Sequence, residues 1–146
     1  MDACSSELSK YFLGFIKVDL GHIVGESYSE KNVHQYIRFF KASQCSREDP
    51  LHTIAVSINL ETLVGAASQS GIEMDALYDP RGLPFLTLDR DLRLSCLQGK
   101  DLLEAAKRYL PFGEKWWAVR LYSAGNYPHN AEIIAAYLLV KISQST

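Results

Sequence analysis

The sequence predicts one α/β (α+β) domain, a small mixed sheet flanked by helices. Three observations predict it. Stretches with apolar residues at every second position, the period of a strand, alternate with stretches whose apolar residues recur at three- and four-residue steps, the period of a helix. The changes of period fall at residues that start or stop helices. The length, 146 residues, is that of a single domain, 1–146, which buries roughly two-thirds of its extended-chain surface and needs no metal or disulfide to hold a core.

The elements follow in order. Leu13–Leu20 reads as a strand, with Ile16, Val18 and Leu20 alternating with Lys17 and Asp19. A loop with two glycines, Gly21 and Gly25, leads to Ser29, a good N-cap for a helix whose stripe is Val33, Tyr36, Ile37 and Phe40. Pro50 cannot continue that helix. Thr53–Ile58 is a short strand, Asn59 caps a helix Leu60–Ser70, and Gly71 is placed to end it in the left-handed conformation. Asp79–Pro84 is turn chemistry. Phe85–Leu88 and Leu92–Leu97 are strand candidates around Asp89-Arg90-Asp91, as a hairpin or one bent strand. Gly99 ends a strand and opens a helix, Asp101–Leu110, which Pro111 stops; Trp116–Tyr122 is the next strand. Asn130 caps a last helix, Ala131–Ile142, apolar nearly all round. Its two apolar faces predict that one packs on the sheet. The other, Ile134, Leu138 and Ile142, would meet a C-terminal region or a second copy in a homo-oligomer.

Composition narrows the function. Lys+Arg number 15 and Asp+Glu 17, a net charge of -2. That balance, with no recognisable helix-turn-helix after the domain, argues against nucleic acid as a partner, a dedicated duplex-DNA binder above all since it needs a basic face, although it leaves room for a small local basic patch. The longest apolar run, Ile133–Ile142, is about half the ~20 residues a membrane span requires. The polar, acidic start is no signal peptide. Three cysteines without a CxxC pair point to a reducing, intracellular compartment, cytoplasmic or nuclear. Four scattered histidines show no metal-ligand spacing.

The chemically suggestive point is the strand–Gly99–helix junction. A glycine there lets backbone approach a phosphate closely, and the helix's free N–H groups and dipole favour an anion. Lys100 adds positive charge. A plainer account also fits: Asp101 as N-cap and Glu104 three residues on form a capping box, so both only start a helix.

The run Leu94–Pro111 followed by Lys115–Tyr122 resembles a fungal family of uncharacterised proteins. Its pattern is a strand, Gly-basic-His-Arg-x-x-Ala-Ala, Leu-Pro, then Trp-Trp-x-Val-x-Leu-Tyr. Phe15–Leu20, Asn32-Val33, Cys45-Ser46-Arg47 and Asp49-Pro50 extend the resemblance over roughly residues 15–122. That family is similar to the ParB/sulfiredoxin superfamily, in which Gly-x-x-Arg-x-x-Ala binds nucleotide phosphates at the same strand–helix turn. The resemblance implies a ParB/sulfiredoxin-like fold, standing as the N-terminal part of a longer architecture. Gly99 and Ala105 match the glycine and alanine, and Lys100 keeps the basic position. Asp101 stands at the His and Leu102 at the Arg. Leucine cannot make the bidentate phosphate contact. A carboxylate beside a phosphate costs roughly 4 kcal/mol at ~4 Å and an effective dielectric of 20, unless a Mg²⁺ intervenes.

The expected function is therefore a non-catalytic, degenerate ParB/sulfiredoxin-like binding module with a decayed phosphate turn. The alternative is a nucleotide-dependent enzyme, a phosphotransferase or NTPase, that takes ATP or CTP with Mg²⁺. Phosphate-binding candidates are Gly99, Lys100, Asp101 and Arg47, the last replacing the lost clamp. That superfamily includes ATP-dependent sulfinic-acid reductases and free-serine kinases, in which the loop after the first strand faces the turn; the resemblance thus makes Glu26 and His22 the acid/base candidates. Each also reads as an ordinary solvated loop residue. Cys96, alternating with Leu92 and Leu94, reads as a buried core thiol with no basic neighbour placed to lower its pKa. Trp116 and Trp117 point to opposite faces of their strand.

Overall fold

The structure is a computed structural model that describes residues 11–42, 45, 47–49, 52–79 and 81–124. Five strands form one mixed sheet: β1 (Phe12–Asp19), β2 (Ile23–Val24), β3 (Ile54–Ile58), β4 (Leu94–Gln98) and β5 (Trp116–Ser123), in the order β1-β5-β3-β4-β2. The pairs β1–β5 and β3–β4 are antiparallel; β3–β5 and β2–β4 are parallel. Three helices are described, α1 (Glu30–Ala42), α2 (Leu60–Gln69) and α3 (Lys100–Tyr109).

One main core joins the helices to one sheet face. Strand residues Ile16, Val18, Ile54, Val56, Ile58, Trp117, Val119 and Leu121 meet Val33 and Phe40 of α1, Leu63 and Ala67 of α2, and Leu102, Leu103, Ala105 and Ala106 of α3. The alternation in β1, β3 and β5 and the helical stripes are thus two sides of one interface. On the other sheet face Tyr11, Ala55 and Tyr122 form a small cluster with Phe12. Trp117 is core, its ring 5.5 Å from that of Phe40 and its Nε1 donating to the His52 carbonyl at 2.8 Å.

The helix starts and stops are those the sequence indicates at α1 and α2. Ser29 Oγ accepts from Asn32 N at 3.3 Å, and Asn59 Oδ1 accepts from Glu61 N and Thr62 N. Gly71 lies at φ +71, in the left-handed region. The expected strand Phe85–Leu88 is different: it contributes a single parallel bridge, Phe85 to Lys17, on the outer edge of β1. Leu86 and Leu88 are buried while Phe85 and Thr87 are exposed. An extended segment crossing a core alternates just as a strand does, and only the pairing distinguishes them. Neither a hairpin nor one bent strand joins it to β4, which lies on the far side of β3. The predicted last helix, with Ile134, Leu138 and Ile142, lies outside the described residues. No helix among the described residues is long and apolar enough to cross a membrane.

One backbone position anchors the sheet edge. Between Phe12 and Gly14 the pairing with β5 slips, which makes a bulge that turns Leu13 into the core. Gly14 has φ +135, and a Cβ there would sit 2.5 Å from both the Cβ and the carbonyl oxygen of Leu77. Leu77 belongs to the 3-10 turn Met74–Tyr78, which packs across β1 at this point. Gly14→Ala therefore combines backbone strain with a clash against main chain and should cost about 2–5 kcal/mol. Gly65, exposed within α2 and with nothing within 4 Å, is the control. Gly65→Ala should stabilise by about 0.5–1 kcal/mol. Urea unfolding of both variants checks the pair; equal midpoints would contradict it.

Candidate functional site

Gly99 lies at the end of β4, and α3 begins at the next residue. Its φ is +93, the left-handed conformation that glycine adopts without penalty. A Cβ would meet Ile54 only at 3.6 Å, an ordinary contact, so dihedral rather than space requires glycine here. Gly99 itself is the N-cap, and its carbonyl accepts the first helical bond, from Leu103 N at 2.8 Å. The capping box expected from Asp101 and Glu104 is therefore absent: Asp101 is already inside the first turn, and Glu104 bonds Arg108 Nε at 2.9 Å.

Asp101 has another task. Its Oδ1 accepts from the backbone N–H of Ser29 at 2.7 Å and its Oδ2 accepts from Asn32 Nδ2 at 2.9 Å. Ser29 and Asn32 open α1, so a carboxylate on the first turn of α3 sits at the N-terminus of α1, where the helix dipole favours negative charge. Arg108, two turns further along α3, makes a second stitch. Its guanidinium forks onto both oxygens of Glu30 at 3.0 and 2.7 Å, bonds Tyr28 Oη at 3.1 Å and lies 5.3 Å from the Tyr28 ring centre. The Arg108 hydrogen bonds hold the Glu30 carboxyl below the usual range, and Glu30 and Glu104 hold the guanidinium further above its own.

These contacts fix the wall of an open cleft of about 540 Å³. Ser27, Tyr28, Ser29 and Tyr36 line one side, and Gly99, Lys100, Asp101 and Leu102 the other. A second hollow of about 420 Å³ shares Tyr36 and Asp101 with it and adds Asn32, Gln35, Phe39 and His52. The two make one groove along α1.

Of the residues singled out in the sequence, Gly99, Lys100 and Asp101 line this groove. Leu102 turns inward and is 4% exposed, wedged in the core. Arg47 is held away from the groove: its guanidinium stacks on Trp116 at 4.2 Å and donates to the Glu114 carbonyl at 2.8 Å. Lys17 covers the same indole at 5.3 Å, which accounts for the second tryptophan. His22 sits at the opposite end of β4, its Nδ1 2.9 Å from the Leu92 carbonyl oxygen. Glu26 is exposed beside Ser27. The structure thus brings neither acid/base candidate onto the groove floor. The residues the sequence reading missed are Asn32, Tyr36, Phe39 and His52. Tyr36 was read as core stripe alone, and the others gave no local signal.

Cys96 is buried against the turn. A Cβ on Gly25 would lie 3.7 Å from the Cys96 Cβ and 3.5 Å from the Lys100 Cγ. Burial pushes its thiol pKa up, and Lys100 and Lys107, basic neighbours invisible in the sequence, oppose that without winning. Among the described residues no group of three or more His, Cys, Asp and Glu could hold a metal ion.

Residues 11–137 match the family described as "Protein of unknown function (DUF3723) N-terminal domain". The chain belongs to this family. No curated protein and no solved structure matches it. The matched span includes α1, the Gly99 turn and the groove between them.

Three outcomes follow from this geometry. Asp101→Ala removes an N-cap-like carboxylate and should cost about 1–2 kcal/mol in urea unfolding. Leu102→Arg should cost more, about 3–5 kcal/mol, because it buries an unpaired charge. The Cys96 thiol should react with iodoacetamide at about pH 8 at least ~10-fold more slowly in the folded chain than in urea, since a raised pKa lowers the thiolate fraction. Equal rates, read by site-resolved mass spectrometry, would contradict the buried-thiol assignment.

Proposed function

We propose that this domain is a non-catalytic binding module of ParB/sulfiredoxin-like descent, whose phosphate turn has become a structural clasp. The observation that carries the reading is the pair of bonds from Ser29 N and Asn32 Nδ2 to Asp101. At a phosphate turn the helix N-terminus is left open to an external anion. Here the chain supplies its own anion at the neighbouring helix start, with one hydrogen bond to each Asp101 oxygen. The superfamily's arginine position holds a core leucine, and Arg47 is committed to Trp116. Binding chemistry remains in the groove, whose walls carry Tyr28, Tyr36, Phe39, Asn32 and Gln35.

The competing reading, a phosphotransferase or NTPase using ATP or CTP with Mg²⁺, draws on Lys100 and the free N–H groups in the first turn of α3. One experiment separates the two. Melting curves with millimolar ATP, CTP or GTP, with and without Mg²⁺, should show no saturable shift. A ligand at 100 times its Kd would add about 2.7 kcal/mol of stability. A clear saturable shift would favour the enzyme.

A further inference from the structure

Helix α1 carries a charge pattern that whole-chain composition conceals. Lys31, His34, Arg38 and Lys41 follow one another at steps of three, four and three, all exposed. They form one stripe, and Lys31 and Lys41 stand roughly 15 Å apart along the axis. Lys31, Arg38 and Lys41 make no hydrogen bond or ion pair with any described residue; His34 Nε2 lies 3.4 Å from Glu30 Oε2, and Glu30 is itself held by Arg108. His34, Ile37, Arg38 and Lys41 also line a shallow depression of about 450 Å³. The one acid of α1, Glu30, stands on the same flank one turn before His34, and its carboxylate is held by Arg108.

The adjoining flank of the same helix is neutral and carries ring faces. Asn32, Gln35 and Phe39 lie roughly a third of the circumference from the basic stripe. They face the hollow that Tyr36, His52 and Asp101 complete. Phe39 is 48% exposed, its ring 5.7 Å from that of His52. A row of cations beside a polar, aromatic-walled hollow is the pair of features that single-stranded nucleic acid requires, since the cations track its backbone and the rings stack its bases. Helix α1 with its side chains is about 10–12 Å across, a width that one nucleotide spans from phosphate to base.

We infer that the exposed side of α1 binds single-stranded nucleic acid, phosphates on Lys31, Arg38 and Lys41 and an unstacked base in the hollow beside Phe39. Asp101, already bound by Ser29 N and Asn32 Nδ2, would repel a phosphate and so keeps the strand's backbone on the basic flank, while Gln35 and the Asn32 side-chain oxygen are left to meet a base edge. A duplex keeps its bases stacked and cannot use the hollow. The net charge of -2 weighs against a duplex binder and leaves a short single strand unaffected. This inference does not depend on the state of the Gly99 turn.

The test is fluorescence anisotropy of the full chain with labelled oligothymidylate and oligouridylate of about 20 nucleotides, longer than the roughly 4–16 that one binding face covers. Three cations on a single strand predict a log–log salt slope of about -2, or roughly a 20-fold loss between 50 and 200 mM salt. Arg38→Gln with Lys41→Gln, both exposed and unbonded, should lower the slope to about -0.7 and affinity by about tenfold. Phe39→Ala should weaken single-strand binding by about tenfold and leave the slope unchanged. Circular dichroism and melting temperature confirm that each variant folds. No salt-dependent binding, equal affinity for a duplex of the same length, equal affinity for polyglutamate or anionic lipid vesicles, or loss-free variants would each overturn the proposal. A mononucleotide melting shift that persists in Phe39→Ala bears on the Gly99 turn, and strand binding that fails with no such shift bears on α1, so failure here and failure of the binding-module reading are distinguishable.

Discussion

The Asp101 carboxylate holds the two helices of the groove in register. It belongs to the first turn of α3 and is bound by the backbone N–H of Ser29 and the side chain of Asn32, at the start of α1. Two helix N-termini, each the positive end of a dipole, would otherwise repel one another where they approach. A shared carboxylate removes that conflict, with a cap-like gain of about 1 kcal/mol and a dipole term of roughly 0.3–1 kcal/mol. Arg108 closes the other end of the contact through Glu30, Tyr28 and Glu104. These surface ion pairs are worth little singly. Their forked geometry fixes direction, and direction gives the loop 25–29 one path past Cys96 and Lys100. The groove is the space left between elements so fixed.

The same interaction explains why the sequence was legible for the fold and less so for the site. Strands β1, β3, β4 and β5 and helices α1, α2 and α3 declare themselves locally, because a period of two or of 3.6 is written within one segment. Asn59 and Gly71 act on their own neighbours and were readable for that reason. The partners of Asp101 lie about 70 positions away in the chain, at Ser29 and Asn32. Seen locally, an acid two residues after a glycine and three before a glutamate looks like a capping box. The three-dimensional neighbour outcompetes that arrangement. Two further differences have the same cause. Phe85–Leu88 has the burial pattern of a strand but crosses a core. The two-residue β2 is too short to show any period and exists only because β4 offers it an edge.

Arg47 and Trp116 make the point for the candidate clamp. From sequence, an arginine after the first helix is free to serve a phosphate. In the fold its guanidinium lies on an indole face and donates to a carbonyl, contacts that together favour one rotamer over the reach toward Gly99. Lys107 and Lys115 are spent similarly, on the carbonyls of Ile23 and Lys107 at 2.8 and 2.7 Å. Composition counts these cations equally with those of α1, yet each is tethered to a main-chain carbonyl.

Charge balance is therefore a poor guide to recognition in a domain of this size. A cation whose donors are bound to carbonyl oxygens or an aromatic face must break those contacts before it can meet a ligand. One on an exposed helix flank has only hydration and counterions to give up, and releasing counterions is favourable at low salt. Lys31, Arg38 and Lys41 are of the second kind, held at fixed spacing by a helix whose own position is set by Asp101 and Arg108. The clasp between α3 and α1 thus also orients the flank of α1 on which these three cations stand. An acid spent between two helix starts and a helix that presents its cations outward are consequences of the same contact.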